Sequence, residues 1–249
     1  MNKIKHPHGN IRSFLFKFFK NLIEKSLKFF ISFICKIDEY DEIIISPATH
    51  SPWKKDKEFK IFYNKIKDLT LLDAPRSYTL WQCTKNLENV NGQILDIGCL
   101  MGGSGFLMSK KNKKGKTFLF DSFSGFKKDD GLHKKDIFNY KDINFVKRNI
   151  FKLKLRNTFV FKAYFPKKIQ PKIQRVKLCH IDVNTYYDTK KVFNFIKNKV
   201  IKGGFVIFDD FGIWGVDGIK KFVYEIEKKN SINFYFLKNY MGQCILIRK

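Results

Sequence analysis

From about residue 70 onward, short apolar runs alternate with longer stretches of helical period, and this alternation restricts the fold more than any other feature of the chain. Runs of four or five residues suit a buried strand and are short for a helix. They are Ile94–Ile97, Thr117–Asp121, Thr158–Lys162, Leu178–Asp182 and Phe205–Asp209, followed by Asn233–Leu237 and Cys244–Ile247. Helical stretches fit between them, among them Thr189–Lys199 and Gly218–Lys229. Strands separated by helices predict a mostly parallel sheet with helices on both faces. The last two strands have no helix between them and predict an antiparallel hairpin at one edge. The expected class is therefore α/β, a Rossmann-like doubly wound sheet.

The first 52 residues read differently. Between residues 14 and 37, Leu15, Phe16, Phe19, Leu22, Ile23, Leu27, Phe29, Phe30, Phe33, Ile34 and Ile37 share one helical face. Lys17, Lys20, Asn21, Glu24, Lys25 and Lys28 share the other. Charges recur too often for a membrane span, and no small-residue cleavage site follows. Two readings stand for this helix. It packs on its own domain or a partner subunit, or it lies on an anionic membrane surface, where each nearby Lys contributes about 1 kcal/mol. An acidic cluster follows (Asp38, Glu39, Asp41, Glu42), and then the linker Ser46-Pro47-Ala48-Thr49-His50-Ser51-Pro52. We expect an N-terminal helical extension with its linker over residues 1–52 and one catalytic-type domain over 53–249.

The chain of 249 residues carries a formal net charge of +26. Only six of its 49 basic residues are Arg. A nucleic-acid protein is expected to use more Arg for bidentate phosphate and guanine contacts, so no nucleic-acid partner is expected. The charge fits attraction to anionic surfaces or substrates. Five Cys without CxxC spacing, several in apolar runs, argue against a disulfide framework or a zinc cluster. They fit reduced thiols in a cytoplasmic protein, peripheral to the inner face of the membrane if the helix binds lipid.

Three features carry chemistry. The first is the loop Asp96-Ile97-Gly98-Cys99-Leu100-Met101-Gly102-Gly103-Ser104-Gly105, placed after the first strand. Its glycines allow a tight turn and close approach of backbone to a ligand, and a helix beginning near Ser104 would aim N–H groups at it. The plain alternative is a tight turn. The second is Asp121 with Ser122, at the end of the second strand, where such folds hold two ribose hydroxyls. The alternative for Asp121 is a cap or turn residue. The third is the set Asp182, Asp209 and Asp210 at two later strand ends. Parallel sheets bind ligands outside the carboxyl ends of their strands, so these acids converge. Three carboxylates together need a positive partner, and Mg2+ is the simplest. The alternative for Asp209-Asp210 is a solvated turn.

With those residues in view, the run from Leu71 to Glu227 resembles the macrocin O-methyltransferase family. The matching pieces are Pro75-Arg76-Ser77-Tyr78-Thr79-Leu80-Trp81-Gln82, the loop from Ile94 to Ser104, Phe120-Asp121-Ser122-Phe123-Ser124-Gly125-Phe126, Tyr164-Phe165-Pro166, His180 through Thr189, and Gly203 through Gly212. The resemblance implies a class I methyltransferase fold using S-adenosylmethionine and a divalent metal. It implies that Asp96, Gly98 and Gly102, with Gly103 and Ser104, shape the cofactor site and that Asp121 holds the ribose. It implies that Asp182, Asp209 and Asp210 ligate Mg2+. The metal would lower the pKa of the sugar hydroxyl to be methylated.

One position departs from the family pattern. A second acid often stands two residues after the first metal ligand, suited to a general base, and here it is Asn184. An amide accepts no proton at neutral pH. His180 and Asp188 are the substitute candidates, with a packed core histidine and a helix cap as their structural alternatives. Tyr186 and Tyr187 are candidates for the rim of an acceptor pocket, one of them as core. The segment 127–157 reads as a lid or insertion. Two functional classes follow: a metal-dependent sugar O-methyltransferase, acting on a surface polysaccharide or lipid-linked glycan precursor, and a non-catalytic glycan-pathway module that kept the cofactor fold. A homo-oligomer is compatible with either.

Overall fold

The computed structural model describes residues 11–34, 50–125, 138, 142–167, 169–213 and 215–249. The chain forms two compact units, Met1–His50 and Ser51–Lys249. In the first, helix α1 (Ile11–Ile34) begins three residues before the expected helix. The expected residues 35–37, the acidic cluster and linker residues 46–49 lie outside the described residues. Along α1, Phe18, Phe19, Leu22, Ile23, Phe29 and Phe30 are exposed. Glu24 sits between Lys20 and Lys28 at 3.7 and 3.3 Å. Among the described residues, no helix is long and apolar enough to cross a membrane.

The second unit opens with α2 (Pro52–Lys55), α3 (Lys57–Ile66), a 3-10 turn (Lys67–Leu69) and α4 (Ala74–Asn86). Asp56 caps α3 by accepting from the Phe59 amide at 2.9 Å, and Asp73 caps α4 by accepting from the Arg76 amide at 2.8 Å. These side chains satisfy N–H groups that a helix start leaves unpaired. Then come β1 (Gln93–Ile97), α5 (Gly103–Lys111), β2 (Thr117–Asp121), α6 (Ile143–Lys152), β3 (Thr158–Lys162), β4 (Val176–Ile181) and α7 (Tyr186–Ile196). The chain closes with β5 (Val200–Phe208), α8 (Asp217–Asn230), β6 (Phe234–Lys238) and β7 (Cys244–Arg248). Part of the expected lid, residues 127–137 and 139–141, lies outside the described residues.

The seven strands form one sheet in the order β3-β2-β1-β4-β5-β7-β6. β1 to β5 are parallel, and β7 runs antiparallel to both β5 and β6. The doubly wound sheet with an antiparallel edge is therefore present. Alternate residues of each strand feed two cores. Leu95, Ile97, Phe118 and Phe120 meet Val192, Phe193 and Ile196 of α7 and Phe222 and Val223 of α8. Ile94, Leu119, Leu178 and Ile207 meet Phe59, Leu80, Trp81, Phe106 and Leu107 on the other face. Each such side chain contributes roughly 1.5–3 kcal/mol on burial.

Two element bounds differ from the sequence reading. α7 starts at Tyr186, three residues early, because Thr185 accepts from the Asp188 amide at 3.2 Å and caps it. β5 starts at Val200, five residues early, running through Gly203 and Gly204, which in sequence look like a turn. At the amino-terminal edge of the sheet, Lys177 is buried, and burial holds its amine down at about 8. It donates to the carbonyls of Leu87, Val90 and Lys114 at 3.0, 2.8 and 3.3 Å, tying the end of α4 to the loop before β2. The four described cysteines, 83, 99, 179 and 244, are free and buried.

Candidate active site

Four strand ends lie level. The Gly98 amide donates to the Phe120 carbonyl at 2.8 Å, Asp182 to Ile97 at 2.9 Å, and Asp209 to Ile181 at 3.0 Å. Pairing thus continues one residue past β1, β4 and β5, and it sets the glycine loop and two acids side by side. The connection reverses direction between β1 and β4, which is where open α/β sheets hold ligands.

The glycine loop folds tightly against β4. Gly98 has φ +90°, and a Cβ there would stand 1.8 Å from the Asp182 carbonyl oxygen. Only glycine fits that approach. Leu100 takes φ 48° and donates its amide to Asp121 Oδ2 at 2.8 Å, while the Phe123 amide donates to Oδ1 at 2.7 Å. Burial raises the Asp121 carboxyl, and these amides work against that rise. Each oxygen keeps a lone pair for a ligand hydroxyl. Asp121, Ser122, Gly98, Leu100 and Met101 all retain solvent-facing surface.

Asp96, Gly102, Gly103 and Ser104 are buried. Asp96 has no exposed surface and accepts from Ser104 Oγ at 2.7 Å, with His180 Nδ1 at 2.8 Å. It braces the loop from behind.

On the other side stands the acid cluster. Asp209 is buried and accepts from Gln243 Nε2 at Oδ1 and from Arg76 Nη1 at Oδ2, each at 2.7 Å. Arg76 Nη1 also donates to Asp210 Oδ1 at 3.2 Å. The amide of Asn184 points between the acids. Turned so that its nitrogen faces them, it donates to Asp210 Oδ2 at 2.6 Å and Asp182 Oδ1 at 3.1 Å. Burial, then Asp209 and Asp210, raise Asp182 well above the usual carboxylate range. Burial and Asp209 push Asp210 up to about 6. Asp209 is held low: burial opposes its charge, but His180, Arg76 and Gln243 outweigh that.

His180 lies between the halves. Its Nδ1 pairs with Asp96, and its Nε2, otherwise unpartnered, is 3.8 Å from Asp209 Oδ1. Burial disfavours its charged form, yet Asp209 and Asp96 together raise it well above 6.5. Asp188 is placed elsewhere: exposed, it accepts from Thr185 Oγ1 at 3.1 Å and from Lys191 Nζ at 2.9 Å. Tyr186 packs against the core and donates to Glu225 at 2.7 Å, while Tyr187 is exposed.

The sequence reading supplied a metal for the cluster and missed Arg76 and Gln243 as partners of its acids. The signal for Arg76 was its scarcity as one of six arginines, just inside a Pro-marked helix start. Gln243 had none. The donor set also fits a hard divalent cation, which prefers oxygen ligands. Asp182, Asp209 and Asp210 bring more negative charge than Arg76 offsets, and His180, Asp182 and Asp209 each place a ligand atom within 4.8 Å of the others.

A family model described as macrocin O-methyltransferase matches residues 68–238. No curated protein sequence matches the chain. Among solved structures, the O-methyltransferase NovP is similar with a TM-score of 0.64 at 21% identity, covering 73% of this chain and 82% of its own. The calicheamicin methyltransferase CalS11 is similar with a TM-score of 0.56 at 13% identity, covering 85% and 99%. TomG of Streptomyces achromogenes, an O-methyltransferase of tomaymycin synthesis solved with S-adenosylmethionine, gives 0.53 at 14% identity, covering 90% and 96%. At these identities the likeness is one of fold.

Proposed function

The chain belongs to the macrocin O-methyltransferase family, and from that premise we propose that it methylates a sugar hydroxyl at a divalent-cation site, in a surface polysaccharide or lipid-linked glycan precursor. S-adenosylmethionine is the methyl donor of this enzyme class. The observation that carries the reading is the level set of strand ends, with Asp121 and the Gly98 loop on one side of β4 and Asp182, Asp209 and Asp210 on the other.

The chain's own groups divide the work. Asp121, fixed by two backbone amides, accepts from the ribose hydroxyls. The loop from Gly98 to Met101 lies along the cofactor. Asp182, Asp209 and Asp210 would hold Mg2+, which when bound lowers the pKa of a sugar hydroxyl. Side-by-side placement of donor and acceptor supplies the proximity gain for in-line transfer. The acceptor oxygen forms the new C–O bond as the methyl–sulfur bond breaks, and S-adenosylhomocysteine leaves. The hydroxyl proton goes to water or a cluster carboxylate, since Asn184 accepts none.

The basic, apolar-faced α1 supports a second part of the reading: it binds an anionic membrane surface and keeps the enzyme beside a lipid-linked acceptor. Cosedimentation of the full chain with anionic vesicles, and not with zwitterionic ones, tests that part.

The test of the enzyme reading is calorimetric titration of S-adenosylmethionine with and without Mg2+, repeated on Asp121→Ala, then release of S-adenosylhomocysteine over a panel of sugar acceptors. Binding that Asp121→Ala removes, with turnover on a sugar, supports it. Binding without turnover on any acceptor favours the non-catalytic module that Asn184 suggests. No binding refutes both.

A further inference from the structure

The acid cluster already contains a cation that belongs to the chain. Arg76 Nη1 lies 2.7 Å from Asp209 Oδ2 and 3.2 Å from Asp210 Oδ1, bonded to the same carboxylates that would hold a metal. The remaining donors complete a closed set. Gln243 takes the other oxygen of Asp209, and the Asn184 amide reaches Asp210 Oδ2 and Asp182 Oδ1. All three carboxylates thus have a protein hydrogen-bond donor.

The guanidinium also has a second station. Arg76 Nε is 3.4 Å from Asp73 Oδ2, and Nη2 donates to the Leu71 carbonyl at 3.4 Å. Asp73 is exposed and lies at the start of α4. A charge displaced from the cluster therefore has an acid to pair with. Nε makes no hydrogen bond in the present arrangement, so the Asp73 contact is only partly formed.

Resting on the proposed metal site, we propose that Arg76 is a tethered competitor for the divalent cation: it offsets part of the charge of the ion-free cluster and withdraws toward Asp73 when the ion enters. Two positive charges cannot share these oxygens without repulsion, so each weakens the other's hold. Asn184 suits the same exchange. Its nitrogen binds the carboxylates when the cluster is empty, and a half-turn of the amide presents its oxygen to an ion. An acid at that position would do only the second.

The test is titration of Mn2+ into the full chain without cofactor, read by calorimetry and by the electron paramagnetic resonance of free Mn2+. Arg76→Ala is expected to bind Mn2+ about ten-fold or more tightly than wild type, with Arg76→Lys between them. Asp73→Asn keeps the helix cap but removes the second station, so it is expected to weaken Mn2+ binding several-fold, a sign opposite to Arg76→Ala. It also covers the case in which Arg76→Ala folds poorly. Wild type that binds as tightly as Arg76→Ala, with Asp73→Asn unchanged, overturns the competition and leaves Arg76 as a brace. No Mn2+ binding in any variant at millimolar ion sinks the metal site and this inference with it, while cofactor binding measured separately would still stand.

Discussion

Replacing Gly98 by Ala tests whether the site depends on the close approach of β1 to β4. The new Cβ would stand 1.8 Å from the Asp182 carbonyl oxygen, where real Cβ contacts stay beyond 3.0 Å. The Asp182 backbone must therefore retreat by more than an ångström, or Gly98 must abandon φ +90°. Retreat breaks the bond from the Asp182 amide to Ile97, a net loss of about 1 kcal/mol. A positive φ on alanine costs about 1–2 kcal/mol more. The sum is about 2–3 kcal/mol, which at about 2–4 °C per kcal/mol for a domain of this size lowers Tm by roughly 4–12 °C. Gly203→Ala is the control, because Gly203 also has positive φ (+73°) but no atom within 4 Å of its added Cβ. It carries only the backbone strain, roughly 1–2 kcal/mol. Thermal melts of the two variants, with calorimetric titration of S-adenosylmethionine, separate the effects. Gly98→Ala should also lose cofactor binding, and Gly203→Ala should keep it. Equal melting of the two variants, with cofactor affinity intact in both, would refute the argument that contact with Asp182 sets the loop.

Three further outcomes follow from the geometry. Asp210 carries a carboxyl raised to about 6, so its stabilising contribution is full below pH ~4 and lost as pH rises through ~6; in chelator, Asp210→Asn should gain up to about 3 kcal/mol on wild type at pH 7.5 and almost nothing at pH 3.5, and an equal gain at both would refute it. Lys177→Met removes the amine's bonds to three carbonyls, of which those of Leu87 and Lys114 keep the Val90 and Gly92 amides as donors, and should cost about 1–2 kcal/mol in urea unfolding, against a negligible loss if the amine were solvated. Gln243→Leu removes the neutral donor that orients the Asp209 carboxylate and should weaken Mn2+ binding with little change in cofactor affinity; an equal loss of both would mean a general collapse of the site.

The strands were legible because each is a short apolar run that cannot be a surface helix, and Asp121, Asp182 and Asp209 were legible because they close such runs. β5 was harder: its first half, Val200-Ile201-Lys202-Gly203-Gly204, carries the residues of a turn, and within it only Val200 pairs with β4 before the register shifts to Phe205 opposite Leu178. Arg76 was harder to assign, since its acid partners in the cluster lie 133 and 134 residues away and its only local signal was scarcity at a helix start. His180 was read as a core histidine or a base. Its position is that of a buried connector, which depends on Asp96 and Asp209 arriving from two other strands. Asp188 shows the converse limit: it was a candidate base or helix cap, while Thr185 is the cap of α7 and Asp188 accepts from Thr185 and Lys191.

The level strand ends act as a ruler. Neighbouring strands stand about 4.8 Å apart, so the three steps from β2 to β5 set Asp121 and Asp209 about 14 Å apart at backbone level. That interval is fixed by main-chain pairing and by no side chain, so mutation of the surface cannot stretch it. If Asp121 holds the ribose and the acids hold the acceptor, as proposed above, the reach between them is a constant of the scaffold. A change of acceptor would then be written in segments outside the strands, such as residues 211–213 and 239–243, while the spacing of the strand ends stays as the sheet dictates.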